Sequence, residues 1–167
     1  MLKKLGELKT TTHHIQLKPD AKHVYSALYR AGRHRRLEIE NQVEEMLDLG
    51  VVQPSDAEWA FLVVVVPTPG GHFRFFEDCW WLNECTVRDA YPIPRIDDCR
   101  DSLGDATVFS TQDCNTRYSK IPLAAEDRAK TTLTSHTGSC RFLRLPFGLV
   151  NAPASFQWAL DILLSGL

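Results

Sequence analysis

The sequence predicts a mixed α+β domain. Three features carry that expectation: an amphipathic helical pattern near the start, two separate β-hairpin patterns, and a strongly apolar helix at the end. With 167 residues, 44% of them apolar and 24% charged, the chain is long enough for one sizeable core.

Taken in order, residues 1–30 are polar, broken by Pro19-Asp20, and read as an extended lead-in. From Arg33 to Leu49 the side chains Ile39, Val43, Met46 and Leu47 recur at helical spacing, and Gly50 follows as the stop. Val51 and Val52 lead to Pro54. The β-branched run Phe61 to Val66 is ended by P-T-P-G-G and pairs naturally with H-F-R-F-F as a hairpin. Its consecutive valines predict a strand covered on both faces. Pro94 is well placed as the first residue of a helix that Gly104 would stop. Thr107 to Asp113 reads as a strand that delivers an aspartate at its end. K-T-T-L-T-S-H, the turn T-G-S and C-R-F-L-R-L make the second hairpin. P-F-G-L-V-N-A-P is then a loop into a last helix from Ala152, apolar at Leu160, Leu163, Leu164 and Leu167.

Several function classes are excluded at this level. No run approaches the roughly 18 apolar residues of a membrane span, and the charged start M-L-K-K-L-G-E-L-K-T does not read as a secretory signal. The expectation is an intracellular chain, cytoplasmic or nuclear, with no membrane partner. Cys79, Cys85, Cys99, Cys114 and Cys140 are odd in number and contain no C-x-x-C pair, so they read as free thiols. The net charge of −2 is not that of a dedicated electrostatic nucleic-acid binder. The one basic run, Arg33 to Arg36, reads as a solvated helix entrance.

The residue with the clearest chemical meaning is Asp113. An aspartate ending an apolar strand is held rigidly at a sheet edge, where a divalent metal can reach it; its plainer reading is a turn or cap. Asp97 and Asp98 are adjacent within a helix, point to different faces and read as solvated. Glu126-Asp127 read the same way. His13-His14 sit on the polar lead-in with nothing evident to complete a metal site. Neither a G-x-x-x-x-G-K-S/T phosphate loop nor a G-x-S-x-G elbow occurs.

Five strings change this picture: L-G-V-V-Q-P-S-D-A-E-W-A, H-F-R-F-F-E-D-C-W-W-L-N, T-V-R-D-A-Y-P-I-P-R-I-D-D, V-F-S-T-Q-D-C-N-T-R-Y and L-R-L-P-F-G-L-V-N-A-P-A-S-F-Q. In this order they resemble the polymerase region of gypsy-class long-terminal-repeat retrotransposons, from about His13 to the last residue. The resemblance implies right-hand polymerase fingers plus a truncated palm. Residues 31–87 would be the first part of the fingers and 88–120 the first part of the palm. Residues 121–150 would return to the fingers, and 151–167 would begin a palm helix. It implies an RNA-directed DNA polymerase with two Mg²⁺ ions that bridge the primer 3′-hydroxyl and the incoming triphosphate. The implied partners are an RNA or DNA template with primer, dNTPs and the remainder of a Pol polyprotein. Asp113 matches the first metal-binding carboxylate. Arg74 matches the arginine that contacts the triphosphate, and Tyr118 the aromatic that packs under the sugar. Phe147 and Gly148 match the nucleotide-pocket wall, with Gln157 in the helix behind it.

The departures matter equally. The resemblance implies two further carboxylates in a Tyr-x-Asp-Asp hairpin, and this sequence contains none. One carboxylate cannot assemble a two-metal site, so the expectation is a chain inactive alone. The alternative is a non-enzymatic remnant of the same fold that binds nucleic acid or protein. The hairpin tip V-P-T-P-G-G lacks the family's lysines, Cys79-Trp80 replaces a tyrosine-arginine pair, and Arg117 stands where a glycine is expected.

Overall fold

A computed structural model describes residues 5–23, 25, 32–69, 73–104, 106–111, 113–114 and 116–165. The tip residues Gly70, Gly71 and His72, and the terminal Leu167, lie outside that set.

Helix α1 spans Arg33–Asp48 and turns Ile39 and Val43 into the core. Its end is a Schellman turn: the Val51 N–H donates to the Met46 carbonyl at 2.9 Å, and the Gly50 N–H to the Leu47 carbonyl at 3.0 Å. Gly50 takes φ 65°, a left-handed conformation that a side chain resists, so this glycine stops the helix as expected. Arg33, Arg35 and Arg36 are exposed at the helix entrance.

Five strands form one sheet among the described residues: β1 (Val52–Pro54), β2 (Phe61–Pro67), β3 (Phe73–Glu77), β4 (Thr132–Ser135) and β5 (Gly138–Phe142). Their order is β1-β5-β4-β2-β3. Both expected hairpins are present as β2–β3 and β4–β5, and β2 joins β4 in parallel, with Phe61 beside Leu133. The core lies on one face of this sheet, where Phe61, Leu82, Ile121, Leu133 and Leu145 are all but inaccessible to solvent.

Two strand expectations need correction. Along β2 Val63 and Val65 are buried, but Val64 is 40% and Val66 43% exposed. From Val63 on the run therefore alternates, because side chains two apart share a face and there only one face is covered, whereas Leu62 on the other face is still buried. Residues 106–111 and 113–114 form no strand: Val108 is 85% exposed. A strand exists only as a hydrogen-bonded pair, and no described segment pairs with these residues. Helix α3 (Ile96–Leu103), just before it, likewise buries no residue.

Sequence patterning gave no sign of α2 (Trp80–Cys85) or of the 3₁₀ turns at Tyr118–Lys120 and Arg128–Thr131. These elements are short and set by tertiary contacts. Helix α4 (Ala152–Leu164) begins where expected, with Pro153 in its first turn. It packs through Ala152, Ala154 and Ala159, leaving Leu163 and Leu164 about half exposed. No described helix is long and apolar enough to cross a membrane. All five cysteines are free thiols.

The lead-in is more ordered than its polarity implies. From Thr11 to Ile15 burial alternates, with Thr11, His13 and Ile15 inward. His13 bridges Leu123 in parallel, and Leu17 bridges Thr86 in antiparallel sense. After a turn at Pro19-Asp20 the chain returns to the sheet, where Tyr25 bridges Ala60.

Candidate functional site

Three of the expected residues converge. Tyr118, half-buried in its 3₁₀ turn, meets Phe147 edge-on with ring centroids 5.0 Å apart, and Phe156 of α4 at 5.7 Å. Such T-shaped pairs align the positive edge of one ring with the negative face of the next. Phe147 leaves 60% of its surface open to solvent, so the cluster presents an apolar wall. Next to it Gly148 adopts φ 90°, which only glycine holds without strain.

The loop that carries Phe147 and Gly148 is fixed by two asparagines. Asn83 of α2 donates through Nδ2 to the Gly148 carbonyl at 2.7 Å and accepts from the Val150 N–H at 2.8 Å. Asn151 donates to the Val87 carbonyl at 2.8 Å and accepts from the Asp89 N–H at 2.9 Å. Each amide satisfies two backbone groups of one other segment, Asn83 those of the loop and Asn151 those of the stretch after α2, so the two are tied together from both sides. Asn83, Asn151 and Phe156 escaped the sequence reading, although all three lie inside the quoted strings.

The other expected residues stand apart. Arg74 is exposed on β3 opposite Val66, and Asp113 is exposed in the irregular segment after α3. Neither side chain forms a hydrogen bond or ion pair among the described residues. Gln157 donates to Asp161 at 2.9 Å, the carboxylate to which the Tyr91 hydroxyl donates at 2.6 Å. That hydrogen bond is the main cause that raises the Tyr91 pKa. Arg117 has ordinary helical backbone angles and lies 5.9 Å from the Tyr118 ring centroid. The positive φ falls one residue earlier, 49° at Thr116, so Arg117 itself does not require a glycine's freedom.

The donor set around Asp113 does not fit a two-metal centre. Among the described residues only His14, Glu126 and Asp127 bring three ligating atoms within 4.8 Å of one another, and Asp113 is not among them. That grouping also corrects the reading of His13-His14 as isolated and of Asp127 as solvated, because Asp127 is 4% exposed. Its carboxylate is already engaged: it accepts from the Ile15 N–H at 2.9 Å and pairs with Lys130. His14 lies 3.6 Å from each carboxylate.

Beneath Gly148 lies Glu77. The residue is half-buried, and desolvation raises its pKa well above 4.5. Burial also raises the neighbouring Cys79 thiol, with Glu77 and Asp78 adding to it. The folded chain thus keeps a proton on Glu77 that the unfolded chain releases above about pH 4.5, so this group's contribution to stability falls as pH rises. Glu77→Gln removes that titration. Its melting temperature is expected to exceed that of the unaltered chain at pH 8, with the gap closing below pH 4. Equal melting temperatures at pH 8 would contradict the assignment.

Comparison with known proteins adds the context. The family model described as reverse transcriptase (RNA-dependent DNA polymerase) matches residues 66–167, more than half of the chain. Divalent-metal dependence is general in that family. The chain is 34% identical over 172 residues to the retrovirus-related Pol polyprotein from transposon 297 of Drosophila melanogaster, covering 98% of this chain and 16% of that protein. It is 38% identical over 132 residues to the Pol polyprotein from transposon gypsy of the same organism, covering 75% and 13%. It therefore spans about a sixth or less of the length of these curated relatives. The foamy viral protease-reverse transcriptase, solved in complex with an RNA/DNA hybrid, superposes with a TM-score of 0.79 at 20% identity, over 98% of this chain and 22% of that one. That likeness establishes a shared fold.

Proposed function

The chain belongs to the reverse transcriptase (RNA-dependent DNA polymerase) family, and on that premise we propose that it supplies the fingers and the leading part of the palm of a retrotransposon RNA-directed DNA polymerase. The observation that carries this reading is the Tyr118, Phe147 and Phe156 cluster beside the left-handed Gly148. A rigid apolar wall next to a glycine backbone suits the flat sugar and base of a nucleotide. Tyr118 would pack under the sugar, Phe147 and Gly148 would wall the pocket, and Gln157 would support it from α4. Arg74, exposed on β3, would meet the triphosphate, for which a guanidinium fork is suited.

Asp113 would be one ligand of the Mg²⁺ pair that serves the complete polymerase. Among the described residues Asp113 belongs to no group of three ligating side chains, so no catalytic step is assigned to these residues alone. The purified chain is expected to bind a primer–template duplex in a salt-dependent manner and to extend no primer with Mg²⁺ and dNTPs. Primer extension that vanishes in Asp113→Ala would overturn the inactive half of the proposal. Absence of duplex binding at low ionic strength would overturn the binding half. The lone carboxylate also favours a second reading, a module of the same fold that binds nucleic acid or a protein without catalysis.

A further inference from the structure

The lead-in meets the turn before β4 at a group of side chains that the polymerase reading does not use. His14 presents Nδ1 at 3.6 Å from Glu126 Oε1 and at 3.6 Å from Asp127 Oδ2. All three ligating atoms lie within 4.8 Å of one another. At 3.6 Å neither contact is a hydrogen bond, so three electron-pair donors face one space without bonding to each other. Donors about 2.0–2.1 Å from a Zn²⁺ ion at tetrahedral angles stand about 3.3–3.4 Å apart. The His14 spacings are only slightly wider. The donor set is also selective: carboxylates alone suit Mg²⁺ and Ca²⁺, whereas an imidazole nitrogen among them suits Zn²⁺ and its transition-metal neighbours.

Backbone contacts hold both halves of the group in place. The His13 N–H donates to the Pro122 carbonyl at 2.9 Å, and the Ala124 N–H to the His13 carbonyl at 3.0 Å. On the other side of His14, the Ile15 N–H donates to Asp127 Oδ2 at 2.9 Å and Lys130 Nζ to the Ile15 carbonyl at 2.8 Å. His14 therefore sits between two anchored residues. Asp127 is 4% exposed, and Lys130 takes its other oxygen, Oδ1. Oδ2 carries one hydrogen bond and keeps a lone pair for a metal. The side chains of His14 and Glu126 form no hydrogen bond among the described residues, and at 63% and 69% exposed they leave an ion free entry.

We propose that His14 Nδ1, Glu126 Oε1 and Asp127 Oδ2 form a Zn²⁺ site that clips the lead-in to the turn before β4, with water as the fourth ligand. Its ligands come from segments distant in sequence, so the unfolded chain has no such site and binding is linked to folding. The site does not include Asp113. Its test contains no nucleic acid, so it stands or falls independently of the polymerase reading.

The test titrates Zn²⁺ alone, and in a second series Co²⁺ alone, into the full chain. Zn²⁺ is expected to raise the melting temperature progressively with its concentration. His14→Ala and Glu126→Ala are each expected to weaken Zn²⁺ binding, measured by calorimetry, about tenfold or more, the scale on which even supporting residues act at metal sites. Both side chains are exposed, so the melting temperature of each metal-free variant is expected to match that of the unaltered chain. Asp127 is left in place because it also supports Ile15. Co²⁺ is expected to give visible bands without the intense near-ultraviolet band of a thiolate ligand, which separates this site from the five free cysteines. Zn²⁺ affinity unchanged in either variant overturns the site. A thiolate band, or no binding by the unaltered chain, overturns it as well.

Discussion

Asp127→Asn is expected to destabilise the chain by about 3 kcal/mol, the lower end of the cost of breaking a buried ion pair by removing one partner. The lower end applies because Lys130 keeps 23% of its side-chain surface in solvent. Asp127 does more than neutralise that lysine. One carboxylate oxygen accepts the Ile15 N–H at 2.9 Å, and Lys130 Nζ donates to the Ile15 carbonyl at 2.8 Å. The pair therefore occupies both backbone groups of a single lead-in residue. An asparagine can still accept from Ile15, but it leaves the ammonium without its counter-charge. The lead-in is also fastened by the His13–Leu123 bridge, so the loss is expected as lower stability and not as a detached segment. Urea unfolding at pH 7 reads it: a lower midpoint with an unchanged slope. A shift equivalent to less than 1 kcal/mol would show that the pair is structurally idle.

Asp127 also shows where the sequence was opaque. Nothing in L-A-A-E-D-R-A-K-T-T separates a solvated acid from a buried one, because the residues that meet its carboxylate, Ile15 and His14, are distant in sequence. Regular local signals were readable. Helix α1 and its Gly50 stop, both hairpins and the start of α4 follow from spacing, turn residues and Pro153. What failed was what depends on neighbours. Among the described residues the strand expected at 107–113 finds no pairing partner, and the valines of β2 face two environments that their identity cannot reveal. At the candidate site Tyr118, Phe147 and Gly148 entered through family strings. The clamps that make a wall of them, Asn83 and Asn151, are asparagines in irregular positions whose role appears only when segments far apart in sequence meet. The His14, Glu126 and Asp127 grouping was hidden for the same reason, since its two halves share no local pattern.

Acidification is expected to act on the same joint through His13. This imidazole is 3% exposed, and burial lowers its pKa from 6.5 to about 4; His14 pushes the same way, while Asp127 and Asp89 pull it upward. Its Nδ1 lies 2.7 Å from the Ser155 hydroxyl, which ties the lead-in to the first turns of α4. Between pH 6.5 and 4 the unfolded chain takes up a proton that the folded chain refuses. The contribution of His13 is therefore complete above pH 6.5 and drains away as pH falls toward 4. At 1.36 kcal/mol for each pKa unit, the loss amounts to about 3 kcal/mol. His13→Gln, which keeps a polar group near Ser155 but cannot titrate, is expected to lack that part of the acid sensitivity. The comparison is the difference in urea-derived stability between the two chains at pH 7 and at pH 4, in which other carboxylates cancel. Glu77 drifts in the opposite direction with pH, so Glu77→Gln should steepen the acid loss where His13→Gln flattens it. Since Asp127 raises the His13 pKa, Asp127→Asn should move the foot of the transition to still lower pH. An unshifted foot would mean that burial alone, without the carboxylate, sets the proton affinity of this histidine.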